Sequence, residues 1–195
     1  MADLLTHLAR HVPADELEGG HLERTLALLR AASAPGALPA WSRTRFDPGH
    51  LTASAFVVAF FPAPHLLLVR HPRLGRWLQP GGHIEPADAV EDAGHLAAAA
   101  RRELLEETGL DLPVERFELF DVDVHPIPGS PHRAESPHQH FDCRYLAVLD
   151  AGAAPLLQPE PDSAVRWVAL ASLGPDDAGL TRVVEKLRRR CPGPG

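Results

Sequence analysis

The chain has 195 residues, a formal net charge of −7 and 45% hydrophobic residues; it is long enough for one domain with a sizeable core, too apolar for a disordered chain and too acidic to grip long nucleic acid through its phosphates. Its two cysteines, Cys143 and Cys191, make no disulfide framework, and no window approaches the ~18 consecutive apolar residues of a membrane span. The opening "MADLLTHLARHVPADELEGG" lacks the apolar core of a secretory signal, so a cytoplasmic protein without a membrane partner is expected.

In chain order, residues 2–11 and 14–33 read as helices, with Leu22, Leu26 and Leu29 at helical spacing, before "SAPGALP" breaks the pattern. This part, residues 1–45, is expected as a helical extension, serving either as a small lobe or as a dimer surface. The rest, 46–195, is expected as one domain. "LTASAFVVAFF" (51–61) is rich in β-branched and aromatic residues and stops at Pro62, and "HLLLVRH" (65–71) follows closely enough to pair with it as a hairpin. "RWLQPGGHIEP" (76–86) reads as a short strand running into a glycine loop. "LAAAARRELLEETG" (96–109) is the strongest helix, with Gly109 at the position that closes it. Residues 114–127, 138–150 and 163–170 read as strands, and 179–190 as an amphipathic helix with cations toward its C-terminal end. Strands and helices alternating irregularly imply an α/β sandwich around a mixed sheet.

The long helix crowds Glu103, Glu106 and Glu107 into five positions. At about 100° per residue they fall within an arc of roughly 100°, beside the apolar edge formed by Ala97, Ala100 and Leu104. Repulsion of this kind costs a helix only about 0.2–0.5 kcal/mol per pair, so for the cluster taken alone an ordinary solvated face is the commoner explanation. The preceding "QPGGHIEP" shifts the balance. Its two glycines let backbone approach a ligand closely. Several carboxylates suit a hard cation such as Mg²⁺ or Mn²⁺, which keeps waters and substrate phosphates as its other ligands.

With these residues the chain resembles the Nudix hydrolases. "RELLEETGL" (102–110) matches every fixed position of the second half of the family's box: Arg102, Glu103, Leu104, Glu106, Glu107, Gly109 and Leu110. "GGHIEP" (81–86) matches its entry, with Gly82 as the box glycine. The first half departs from the pattern, because about six residues are inserted between Gly82 and Arg102. The position six after Gly82 is Asp88 where the family has Glu, and counting back eight from Arg102 lands on Gly94. Asp88, Glu91 and Asp92 are the acids available to take over that partner of the box arginine. The resemblance covers roughly residues 50–173. It implies the Nudix α/β/α sandwich and metal-dependent hydrolysis of a nucleoside diphosphate linked to another group. It also implies Glu106 and Glu107 as metal ligands, Glu103 as ligand or base for water, and Arg102 as the group that orients them. Gly81, Gly82, His83 and Glu85 are expected near the substrate, with Glu85 also within reach of the metal and a structural hydrogen bond as good an expectation for His83 as a phosphate contact. A homodimer is common in that family.

An acid outside the box often completes such a site; Glu160 is the first candidate, with Glu135 and Asp142 as rivals. Trp77 and Phe141 are candidates for stacking a base, and Arg70 and Arg144 for meeting phosphates. Core packing is the competing expectation for Phe141 and more strongly for Trp77, surface charge is the default for the two arginines, and Trp167 is expected in the core. His132, His138 and His140 cluster in "PHRAESPHQHFDCRYL", with His138 and His140 on one strand face. Solvent-exposed loop histidines or a polar rim beside the substrate are expected there, both ahead of zinc, since a structural zinc site takes four ligands and Cys143 falls on the wrong alternation. The alternative to an enzyme is a weakly catalytic module that binds a nucleotide as a sensor. An isopentenyl diphosphate isomerase, which shares the fold, ranks last because the surroundings of Cys143 do not resemble that branch.

Overall fold

A computed structural model describes residues 2–72, 74–88, 94–149, 165–174 and 180–192. The elements are α1 (Ala2–Ala9), α2 (Glu16–Ala32), β1 (Gly49–Phe60), β2 (Pro64–Arg70), β3 (Trp77–Leu78), β4 (Gly81–His83), α3 (Gly94–Thr108), β5 (Glu118–Ile127), β6 (His138–Val148), β7 (Val165–Ala169) and α4 (Thr181–Arg190). Strand β1 is the organising element. One of its edges pairs in parallel with β6 along Gly49–Val58. The other serves two partners in turn, β4 against Thr52–Ser54 and β2 against Val58–Phe60, both antiparallel. β5 extends the sheet beyond β6, while β3 and β7 pair with β2. The result is a mixed sheet, as expected, with the expected β1–β2 hairpin.

Both faces of the sheet are covered, and the period-2 alternation of β1 sorts its residues between them. Leu51, Ala53, Ala55 and Val57 face Leu96, Ala97, Ala99, Ala100 and Leu104 of α3 in one core. The alanines on both sides let α3 settle close to the strand. Phe56 and Val58 point the other way, to Leu66, Leu68 and Leu146 and to Val183, Val184 and Leu187 of α4. Truncating a fully buried leucine such as Leu104 to Ala costs about 2–5 kcal/mol.

Three elements differ from the sequence expectation. The glycine stretch 81–83 is a strand rather than a loop, because its backbone groups are satisfied by β1. A Cβ on Gly81 would stand 2.4 Å from Ser54 Cβ, so glycine is what permits this pairing. Val114–Arg116 is a 3-10 turn, and the strand after it starts at Glu118. The N-terminal helices add to the main core: Leu4, Leu8, Leu22, Leu28 and Leu29 are buried with β1 and α3. Helix α2 starts from Asp15, whose carboxylate accepts the Glu18 amide at 2.8 Å.

A buried ionic cluster ties α2, β5, β6 and α4 together. Lys186 of α4 donates to both oxygens of Glu18, at 2.8 and 3.0 Å, and to Asp121 at 3.0 Å. Arg182 reaches Asp121 and Asp123, and Arg144 reaches Asp121, Asp123 and Asp142. Alternation places Asp121 and Asp123 on the α4 face, opposite Val122 and Val124.

Candidate active site and a histidine cluster across the sheet

Helix α3 carries the glutamates and β4 carries the glycines that face them. Arg102 lies at the junction. Its Nε and Nη2 donate to the two oxygens of Asp88, at 3.2 and 3.1 Å. Its Nη2 also donates to the His83 carbonyl at 2.8 Å, and its Nη1 to Glu103 at 2.9 Å and Glu106 at 3.1 Å. Burial alone would lower the pKa of this arginine, but Asp88 and Glu103 outweigh it and hold the guanidinium firmly charged. The Glu107 carboxylate accepts the Gly81 amide at 3.1 Å. A Cβ on Gly82 would sit 2.7 Å from a Glu103 oxygen, so the glutamate packs directly over the bare glycine. Burial raises the Glu103 pKa, with Arg102 opposing, and Glu106 and Glu85 add to the rise.

Asp88 is therefore the acid that meets the box arginine. It sits in the 3-10 turn Pro86–Asp88, where its carboxylate also accepts the Glu85 amide at 2.8 Å. The count of six from Gly82 holds, and the extra residues follow Asp88. The alternatives Glu91 and Asp92 lie outside the described residues, as does Glu160. The donors gathered on this face are carboxylate oxygens oriented by an arginine and a backbone amide. That set fits a hard divalent cation, which takes oxygen ligands.

The structure places the remaining candidates as follows. Glu85 is exposed beside the turn, close enough to act on Glu103. Phe141, expected to stack a base, is instead 2% exposed in the α3-side core, with the guanidinium of Arg24 5.9 Å from its ring centre. Arg144, expected near phosphates, is consumed by three aspartates in the ionic cluster. Asp142 accepts from Thr52, Ser54 and Arg144 and is buried on the α4 face, away from the carboxylates of α3. Glu135 closes a turn with Ser130 through backbone hydrogen bonds. Trp77 is half-buried under the guanidinium of Arg166, 3.8 Å from its ring centre, and Arg70 is exposed. Trp167 packs on the core with Phe61. Cys143 is fully buried, and burial pushes its thiol far above the ordinary value, which makes it unreactive.

On the opposite face of β4 and β1 lies a group that the sequence only half discloses. His83 is paired with Thr52, and His50 with His140, which in turn is paired with His125. The rings of His50 and His83 stack at 5.1 Å, those of His50 and His138 at 4.9 Å, and His140 lies within 5.2 Å of both His83 and His138. Burial lowers the His140 pKa, and the surrounding histidines lower it further, to about 2. His50 is lowered mainly by burial. Both rings are therefore neutral at ordinary pH. His138 and His140 share a face as the alternation implies; His50 stands alone in its stretch of sequence, where no local pattern marks it.

A family model of the NUDIX domain matches residues 50–187. A probable DHNTP pyrophosphohydrolase of Lactococcus lactis subsp. cremoris (strain MG1363) is 34% identical over 117 residues, which are 60% of this chain and 64% of that protein. The m7GpppN-mRNA hydrolase NUDT17 of Bos taurus is 32% identical over 116 residues, 56% of this chain and 35% of that one. The matches thus span less than two thirds of these relatives' own length. Among solved structures, the E. coli dihydroneopterin triphosphate pyrophosphohydrolase shares the fold, with a TM-score of 0.50 at 16% identity over 72% of this chain and 94% of that one. The matched span holds the mixed sheet, the Gly81–Gly82 strand and the carboxylate helix together, and the chain belongs to the Nudix family.

Proposed function

We propose that the chain is a divalent-metal-dependent hydrolase that cleaves a pyrophosphate bond in a nucleotide-type small molecule, a nucleoside diphosphate linked to another group. The observation that carries this reading is the Arg102 hub, which orients Glu103 and Glu106 while Asp88 holds the arginine from the other side. On this reading Glu106 and Glu107 hold Mg²⁺ or Mn²⁺, and Glu103 is a further ligand or the base for water. When bound, such an ion polarises a phosphoryl oxygen and lowers the pKa of an attacking water. Arg102 orients carboxylates rather than touching substrate. Gly81 and Gly82 bring bare backbone to the phosphates, with Glu85 at the rim; His83, expected near the substrate, instead turns its ring to the other face of the sheet, against His50 and His140. The name of the Lactococcus lactis relative supports a phosphorylated small molecule and adds a pterin triphosphate to the substrates worth testing.

Phosphate release, coupled to a phosphatase and measured across nucleoside triphosphates, ADP-ribose, dinucleoside polyphosphates, nucleotide-sugars, coenzyme A and dihydroneopterin triphosphate, tests this with and without Mg²⁺ or Mn²⁺. Metal-dependent turnover of one class is the expected result. Binding by thermal shift without any turnover would replace the enzyme with a nucleotide sensor.

A further inference from the structure

The imidazoles across the sheet from the glutamates are built as a ligand set. His50, His83 and His140 each offer a ring nitrogen, and these nitrogens all lie within 4.8 Å of one another. A tetrahedral ion with Zn–N bonds of about 2.0–2.1 Å holds its nitrogens about 3.4 Å apart, so small ring rotations close the site. His50 is the fixed corner. It is 1% exposed, and its Nδ1 donates to the Arg45 carbonyl at 3.1 Å. That leaves Nε2 as the lone-pair nitrogen, buried and without a hydrogen-bond partner among the described residues. A histidine ligand held through its other nitrogen by a carbonyl is the usual arrangement at a metal. A buried acceptor without a partner otherwise costs about 1–3 kcal/mol.

We infer that His50, His83 and His140 form a second metal site, separate from the carboxylates of α3, that takes a borderline ion of the Zn²⁺ class. Three imidazoles suit Zn²⁺ rather than Mg²⁺. They leave a fourth position for water or for an anionic oxygen of a bound molecule. The two sites lie on opposite sides of β4: Gly82 faces Glu103, and the next residue, His83, faces His50. The inference stands whether or not the chain hydrolyses pyrophosphate.

The test uses the full chain stripped of metal and titrated with Co²⁺, read by its visible absorption, and with Zn²⁺ against a chromophoric chelator. The wild type and Glu106→Gln should each take one ion with a tetrahedral Co²⁺ spectrum. His83→Ala and His140→Ala should weaken Zn²⁺ binding by more than about 100-fold. His83 is half-buried at the sheet edge, so His83→Asn supplies a folded variant if His140→Ala does not fold. Absence of stoichiometric Zn²⁺ binding in the wild type overturns the inference. So does binding that survives His83→Ala and His83→Asn unchanged, or binding that Glu106→Gln abolishes.

Discussion

Asp88 and Arg102, fourteen residues apart, meet through both carboxylate oxygens at 3.2 and 3.1 Å. This two-point pairing matches the fixed fork of a guanidinium to a carboxylate. It orients the arginine whose remaining donors reach Glu103 and Glu106. Asp88→Asn should keep the fold and lower turnover by about 10–100-fold, the usual loss when a group that orients ligands is altered. Turnover and circular dichroism measured together check this, and an Asp88→Asn protein with wild-type turnover would remove Asp88 from the account.

The two glycines of β4 should separate stability from activity. A Cβ on Gly81 meets Ser54 Cβ at 2.4 Å, its Cα at 2.7 Å and the Ala53 carbonyl oxygen at 2.9 Å, neighbours that belong to a central strand. A Cβ on Gly82 meets the Glu103 carboxylate, the end of a flexible side chain, at 2.7–2.8 Å. Gly81→Ala should therefore lower the melting temperature, while Gly82→Ala should leave it close to wild type and lower turnover by displacing Glu103. Thermal melts and initial rates on both proteins decide the matter; equal melting temperatures would contradict it.

The ionic cluster predicts where acid destabilises the protein. Burial would raise the Glu18 pKa, but hydrogen bonds from His11, the Ala14 amide and Lys186 bring it from 4.5 to about 2. Asp123 is also lowered, against its burial, by His125, Arg144 and His21. Asp121 is raised by burial despite Arg144, Arg182 and Lys186, and it works in the opposite direction. A carboxyl whose folded pKa is depressed contributes stability above its unfolded pKa and loses it as pH falls toward the folded value. Glu18 alone spans the window from 4.5 to about 2, so its contribution to stability in urea should be lost as pH falls through that range. Glu18→Gln should flatten that loss; an unchanged slope would contradict the assignment.

Lys186→Met should cost about 3 kcal/mol at neutral pH, the lower end for breaking a buried pair, because it removes the cation that donates to both Glu18 and Asp121 while Arg182 and Arg144 stay beside them. Urea denaturation at pH 7 measures it. A loss under about 1 kcal/mol, the scale of an exposed pair, would show that water reaches the cluster.

The parts of the fold that are local in sequence were legible there. Helix α3 declared itself through its alanines, leucines and glutamates, and its end through Gly109, which adopts a φ of 72°. Asp88 was one of three available acids, and the turn Pro86–Asp88 decided between them. What stayed hidden depends on pairing between distant segments. The parallel register of β1 and β6 sets His50 opposite His140 across ninety residues, and no local pattern marks that. Phe141 was misplaced for a related reason. Helices cover both faces of the sheet, so alternation could not say which neighbour, His140 or Phe141, faces the core. Arg144 and Asp142 carried no sign of the cations and anions that α4 and β5 bring to them.

The most direct measurement is metal-dependent pyrophosphate hydrolysis by the wild type, Glu106→Gln and Glu107→Gln at saturating Mg²⁺, with circular dichroism on each. Both substitutions should lower turnover by more than about 100-fold, as expected when a group serving metal catalysis is removed, and leave the spectrum unchanged. Wild-type turnover in either variant would contradict the metal-binding role proposed for the helix.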